Sequence, residues 1–159
     1  MIKTDTIIAL ATPPGIGAIS VIRLSGKDSI IISNKLFKPL NNTDLINQNT
    51  HTVSLGYIKD SDITIDKVLI SVFKAPKSYT GENIVEISCH GSVFIQQKII
   101  DLFTVNGCRL ANPGDFPLRA FLNGNMDLSQ AESVADLLSS TSESSHKIAM
   151  DHMRGGFSN

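Results

Sequence analysis

Hydrophobic positions in the first two-thirds of this chain fall into short apolar runs and period-two alternations. Helical spacing takes over only later. Thr6 to Ala11 is an apolar run of the length of a buried strand, ended by Pro13-Pro14-Gly15, because proline cannot continue a ladder. Ala18 to Leu24 predicts a second strand through Ile19, Val21 and Ile22. Ser25 is the candidate N-cap of a helix whose buried face holds Ile32 and Leu36, with Pro39 as its stop. The polar stretch 41–49 has no period and reads as a loop. Thr52 to Ile58 alternates Val53, Leu55 and Tyr57 with polar neighbours. Ile63 to Phe73 alternates as well, but its phase changes between Ile65 and Val68. A hairpin over the Lys59–Asp62 turn, with a bulge at the phase change, accounts for both.

Ile84 to Cys89 predicts a further strand. From Ser92, Ile95, Ile99, Leu102 and Phe103 recur at helical spacing up to Asn106-Gly107. Arg109 to Ala111 predicts a short strand, and Phe116 to Leu122 a short helix. Asp127-Leu128-Ser129-Gln130 has the spacing of a capping box, and Leu128, Ala131, Ala135 and Leu138 line one face of the helix it starts. Ser140-Thr141-Ser142-Glu143 repeats that spacing, which predicts a break near Ser139 and a last helix to about Met153. Strands adjacent in hairpins favour an α+β class with a mixed sheet over a doubly wound parallel sheet. The expected division is one domain over residues 1–120 and the start of a helical one over 121–159.

Composition narrows the partners. Over 159 residues the net charge is −1 and no run of five like charges occurs, so the sequence carries no large electrostatic footprint for nucleic acid. That leaves RNA open as a partner of a longer protein. Cys89 and Cys108 lack metal-site and C-x-x-C spacing and read as buried thiols in a reducing compartment. An early Asp5, the absence of a signal-peptide pattern and the lack of an apolar run of about 20 residues predict a soluble, cytoplasmic protein without a membrane anchor.

Three polar loops, Ala11–Gly17, Ser78–Asn83 and Ala120–Leu128, hold the candidate chemistry. Glu82, in Ser78-Tyr79-Thr80-Gly81-Glu82-Asn83, can accept a pair of hydrogen bonds from a planar donor, or it is a solvated turn residue. Arg23 is either an anion-binding fork or a sheet-edge charge, the latter favoured by spacing alone. Gly15-Ile16-Gly17 lacks the third glycine and following helix of a dinucleotide loop, and no Walker A pattern occurs. Its glycines serve a sharp turn or a close backbone approach. Cys89 and His90 lie on opposite faces of a strand and cannot easily form a dyad, so His90 reads as structural. Gly91 could leave N–H groups free at the start of the Ser92 helix, suited to a carbonyl or carboxylate. His146 and His152 are six apart, off the spacing of a helical metal pair, and no metal site or catalytic residue is assigned.

Together these loops carry a resemblance. Asp5-Thr6-Ile7-Ile8-Ala9 through Gly15, Ile22-Arg23-Leu24-Ser25-Gly26, Ser78 to Asn83 with Cys89-His90-Gly91, Asn112-Pro113-Gly114-Asp115-Phe116 with Arg119 to Gly124, and Asp127 to Glu132 closely resemble the N-terminus of the bacterial tRNA-modification GTPase family MnmE, also called TrmE. The motifs run in family order from residue 5 to the end of the chain. The resemblance implies a fold like the tetrahydrofolate-binding domain of aminomethyltransferases, binding of 5-formyltetrahydrofolate or a related one-carbon tetrahydrofolate, and a homodimer. It implies a longer protein whose GTPase domain binds GTP, magnesium and potassium. With the flavoprotein MnmG, in a heterotetramer-type complex, that protein adds an aminomethyl-type group at C5 of the wobble uridine of certain tRNAs.

Matched by motif, Arg23 and Glu82 take folate-site positions, and Asn125 stands where the family has Lys. That departure removes a cation and keeps a hydrogen-bonding side chain. These 159 residues carry no P-loop, switch or C-terminal cysteine motif, so they are expected to be a cofactor-binding and dimerisation segment without GTP hydrolysis of their own. The competing readings are a dimerisation platform that has lost folate, and a stand-alone aminomethyltransferase-like enzyme.

Overall fold

The computed structural model describes residues 4–139 and 143–154. The chain divides into two compact units, one of residues 4–78 and 82–111, the other of 79–81 and 112 onward.

The first unit is a seven-stranded sheet with two helices on one face. Its strands are β1 (Ile7–Leu10), β2 (Ile19–Ser25), β3 (Phe37–Pro39), β4 (Thr52–Asp60), β5 (Ile63–Phe73), β6 (Ile84–His90) and β7 (Arg109–Leu110), in the order β3-β4-β5-β6-β2-β1-β7. Only β1 and β7 pair in parallel; the other five pairings are antiparallel. The sheet is thus mixed and the class α+β. Between β4 and β5 the register passes from Ile58↔Asp66 to Lys59↔Thr64, so Ile65 is the extra residue of a bulge. That is where the sequence alternation loses phase.

Helices α1 (Ser29–Leu36) and α2 (Val93–Val105) close the core. Ile8, Ile22, Leu24, Val68, Ile70, Val72, Val85 and Ile87 meet Ile30, Ile32 and Leu36 of α1 and Ile99 and Phe103 of α2. Ser92 caps α2, its hydroxyl accepting from the Ile95 N–H at 3.2 Å. The expected cap of α1 is wrong. Ser25 is the last residue of β2, and α1 starts four residues later after Asp28. The helix also ends before Pro39, because Phe37–Pro39 forms a three-residue strand. Proline is tolerated there since β3 is the sheet's edge.

The second unit holds α3 (Asp115–Leu122), α4 (Leu128–Ser139) and α5 (Glu143–Met153). The capping box forms in both directions. Gln130 N–H donates to Asp127 Oδ1 at 2.7 Å, and Asp127 N–H donates to Gln130 Oε1 at 2.9 Å. Gln130 Nε2 also donates to the Met153 carbonyl at 3.1 Å, which sets the start of α4 beside the end of α5. The second predicted box, at Ser140–Glu143, falls on residues 140–142, outside the described residues. No helix among the described residues is long and apolar enough to cross a membrane.

Candidate functional site

Strand register builds the site of the first unit. Rows of side chains cross the sheet on the face opposite the helices. One row runs Val53, Ser71, Glu86, Arg23, Ala9; the next runs Leu55, Leu69, Ser88, Val21. Arg23 therefore sits on an interior strand, between β6 and β1, which overturns the sheet-edge reading. Its Nε donates to Glu86 Oε2 at 2.8 Å, and both side chains are partly buried. Glu86 alternates with apolar residues and gave no sequence signal of its own; only the register Arg23↔Glu86 makes it a partner.

Glu82 is no simple solvated turn residue either. Its Oε1 accepts the Ser25 hydroxyl at 2.8 Å, and Ser25 is fully buried. Around it, Ser78 Oγ donates to the Glu82 carbonyl, and Asn83 Oδ1 accepts the Ala75 N–H. Arg23 and Ser25 are two apart on β2 and share a face. The fold therefore gathers Arg23, Glu86, Ser25 and Glu82 in one polar cluster.

Asn125 belongs to the second unit. Its N–H donates to the Ala120 carbonyl at 2.8 Å, and its Nδ2 lies 3.5 Å from the Tyr79 carbonyl. Gly81, at φ +81°, packs so closely that a β-carbon there would lie 3.0 Å from Asn123 Cβ and 3.3 Å from Asn125 Nδ2. Glycine is required at this turn by both backbone and space.

The rows beyond Arg23 lead to a shallow depression of about 250 Å³ lined by Ile19, Leu55, Lys67, Leu69, Ser88 and His90. His90 is held from below. Buried Asp66 accepts the His90 N–H at 2.8 Å and contacts its Nδ1 at 2.8 Å, while the imidazole is 69% exposed. Sequence reasoning missed Asp66, which lies 24 residues away on a strand read only for its apolar alternation. Cys89 points the other way into the core, where burial, with Asp66 adding to it, pushes its thiol up to about 11. A thiol so protonated is a poor nucleophile. Cys108 is pushed up to about 12, again chiefly by burial.

Two expectations about glycine divide. The close approach at Gly17 is real: its N–H donates to the Gly91 carbonyl at 3.1 Å, and a β-carbon on Gly91 would collide with the Gly17 carbonyl. The Gly91 N–H, however, donates to the Ala18 carbonyl and is not available to a ligand. Among the described residues, no three His, Cys, Asp or Glu side chains gather as a metal would require.

The first unit is thus an α+β sheet domain covered by two helices on one face and carrying this polar cluster on the other. Comparison places it more closely. A family model described as GTP-binding protein TrmE N-terminus matches residues 6–125, and the chain belongs to that family. It is 62% identical over 159 residues to the tRNA modification GTPase MnmE of Flavobacterium johnsoniae, covering 100% of this chain and 34% of that protein. The MnmE of Flavobacterium psychrophilum is 58% identical over the same span. That of Christiangramia forsetii is 60% identical over 155 residues, 98% of this chain and 33% of the relative. The chain spans about a third of the length of the curated relatives it matches.

Proposed function

We propose that this chain is the cofactor-binding and homodimerisation segment of a GTPase that modifies tRNA. Glu82 and Arg23 hold a one-carbon tetrahydrofolate such as 5-formyltetrahydrofolate. The observation that carries the reading is the Ser25–Glu82 bond beside the Arg23–Glu86 pair. A carboxylate fixed by a buried hydroxyl is pre-oriented to accept the amino and ring N–H groups of a pterin. Each such charge-assisted bond is worth about 1.5–3 kcal/mol. Arg23 orients ligand oxygens while sharing its charge with Glu86. Asn125 enters on its motif alone, supplying a hydrogen bond where the family has a cation.

In the longer protein, a GTPase domain would take GTP with magnesium and potassium. Together with MnmG it would add an aminomethyl-type group at C5 of the wobble uridine, in the cytoplasm. These residues contribute no nucleophile to that chemistry. The test is calorimetric titration of the chain with 5-formyltetrahydrofolate. Micromolar binding is expected, and no binding by the folded chain would remove folate from the reading.

A second component rests on a different observation. Ile19, Val53, Leu55 and Leu69 leave 66%, 59%, 40% and 45% of their surface exposed on the helix-free face. Apolar residues grouped in this way favour a protein partner over solvent, and a second copy of the chain fits the family's homodimer. A platform that dimerises without folate is the alternative this face supports.

A further inference from the structure

The sequence has no basic run, but the fold makes a basic cleft. The C-terminal turn of α1, strand β3, the β4–β5 hairpin and the end of α2 enclose about 470 Å³ lined by Lys35, Lys38, Lys59, Asp60, Ser61 and Asn106, among others. Three lysines line it against one aspartate, in a chain of net charge −1. Lys38 faces Tyr57 across the β3–β4 pair, and Lys59 follows just beyond the register shift. The β3–β4 register, with Lys38 opposite Tyr57, thus puts the hairpin lysine two residues along on the same face as the edge-strand lysine. Among the described residues no hydrogen bond or ion pair engages the side chain of any of the three. Lys35 has a local reason to be there, since a cation in the last turn complements the negative end of a helix. Lys38 and Lys59 lie on strands and have no such reason.

We infer that this cleft binds the phosphodiester backbone of RNA, with Lys35, Lys38 and Lys59 each meeting a phosphate. The cleft is large enough for a nucleotide unit and open along the edge strand, so a polyanion can cross it without ending in it. Lysines act as point charges that contact phosphate without reading sequence. Such a site would position a tRNA and leave base recognition to other parts of a longer protein. The inference rests on the tRNA reading above, and shares no residue with the folate cluster.

The experiment is fluorescence anisotropy of a labelled, unmodified tRNA transcript titrated with this chain at about 20 to 200 mM salt. The partners are the Lys35→Gln/Lys38→Gln/Lys59→Gln variant and a Lys27→Gln/Lys98→Gln control. Each phosphate contact adds about 0.7 to 0.9 to the slope of log affinity against log salt. The cleft variant should therefore lose about 2 to 3 from that slope and bind at least tenfold more weakly at low salt, while the control keeps the wild-type slope. Equal slopes in wild type and cleft variant, or an equal loss in the control, would overturn the cleft and leave a tRNA-binding chain. Folate binding without any tRNA binding would overturn the cleft and leave the folate reading standing. A parallel titration with inorganic pyrophosphate separates a small-anion site. Amide shifts at Lys35–Lys38 and Lys59–Ser61 with pyrophosphate but not with tRNA would overturn the RNA assignment.

Discussion

The two faces of the seven-stranded sheet are written by the same alternation and do different work. Ile22, Leu24, Ile70 and Ile87 point to the helices and are fully buried. Their neighbours one residue away, Arg23, Leu69, Ser71, Glu86 and Ser88, point to the other face. Within one strand, period two therefore separates residues that hold the sheet from residues that meet something else. A sequence reader sees both sets, but the pairing on the open face, Arg23 with Glu86, appears only once β2 and β6 are in register.

The sharpest way to break this comparison is to substitute one residue on each face. Ile87→Ala empties a fully buried site under α1 and α2 and should cost about 2–5 kcal/mol by denaturant titration. Leu69→Glu, half exposed on the opposite face, should change monomer stability by only about 0.5 kcal/mol or less. In analytical ultracentrifugation it should shift the chain towards monomer. A Leu69→Glu chain that stays dimeric would remove this face from the proposed dimerisation.

A smaller effect sharpens the assignment of Glu82. From the sequence alone, Glu82→Ala should weaken folate binding at least tenfold and leave the melting temperature nearly unchanged. The bond to buried Ser25 changes the choice of variant, because Ala removes the acceptor of a desolvated hydroxyl at about 1–3 kcal/mol. Glu82→Gln keeps a carbonyl oxygen for Ser25 and replaces the other acceptor with an N–H₂ donor that opposes the pterin's own donors. Calorimetry should show at least tenfold weaker folate binding, about 1.4 kcal/mol, with the melting temperature retained. Unchanged affinity would end the role of Glu82.

A pH effect concerns the two thiols of the covered side. A thiol ionises near 9.0 when exposed, whereas burial holds Cys89 up to about 11 and Cys108 up to about 12 in the fold. Above pH 9 the unfolded chain therefore loses protons first, and stability falls as pH rises towards the folded values. Below pH 9 these groups add no pH dependence. Denaturation midpoints at about pH 8 and pH 10.5 should show the fall, and Cys89→Ala/Cys108→Ala should flatten it. An unaltered slope in the double variant would assign the effect to other groups.

What the sequence made legible was local. The strands of the hairpin, the bulge at Ile65, the Ser92 cap and the Asp127–Gln130 box are each set by residues within a few positions of one another. Its failures were of register. Ser25 reads as a helix cap until Glu82, 57 residues away, takes its hydroxyl. Arg23 reads as an edge charge until β6 pairs beside it, and Asp66 is unremarkable until His90 leans on it. Phe37–Pro39 is too short, and too marked by proline, to announce a strand without β4 to pair with. The lysine cleft was invisible for the same reason, since its charges come from separate elements.

The pairing of β1 with β7 has a consequence for how the sheet assembles. The Arg109 N–H donates to the Thr6 carbonyl, the Ala111 N–H donates to the Ile8 carbonyl, and Arg109 pairs with Asp5. These few contacts close a loop of about a hundred residues, whose length-dependent entropy is about 4 kcal/mol. Two ladder residues and one ion pair return little of that unless the hairpins between them have already drawn the ends together. By this argument the seam is expected to fasten last and to open first, like the final stitch in a cloth.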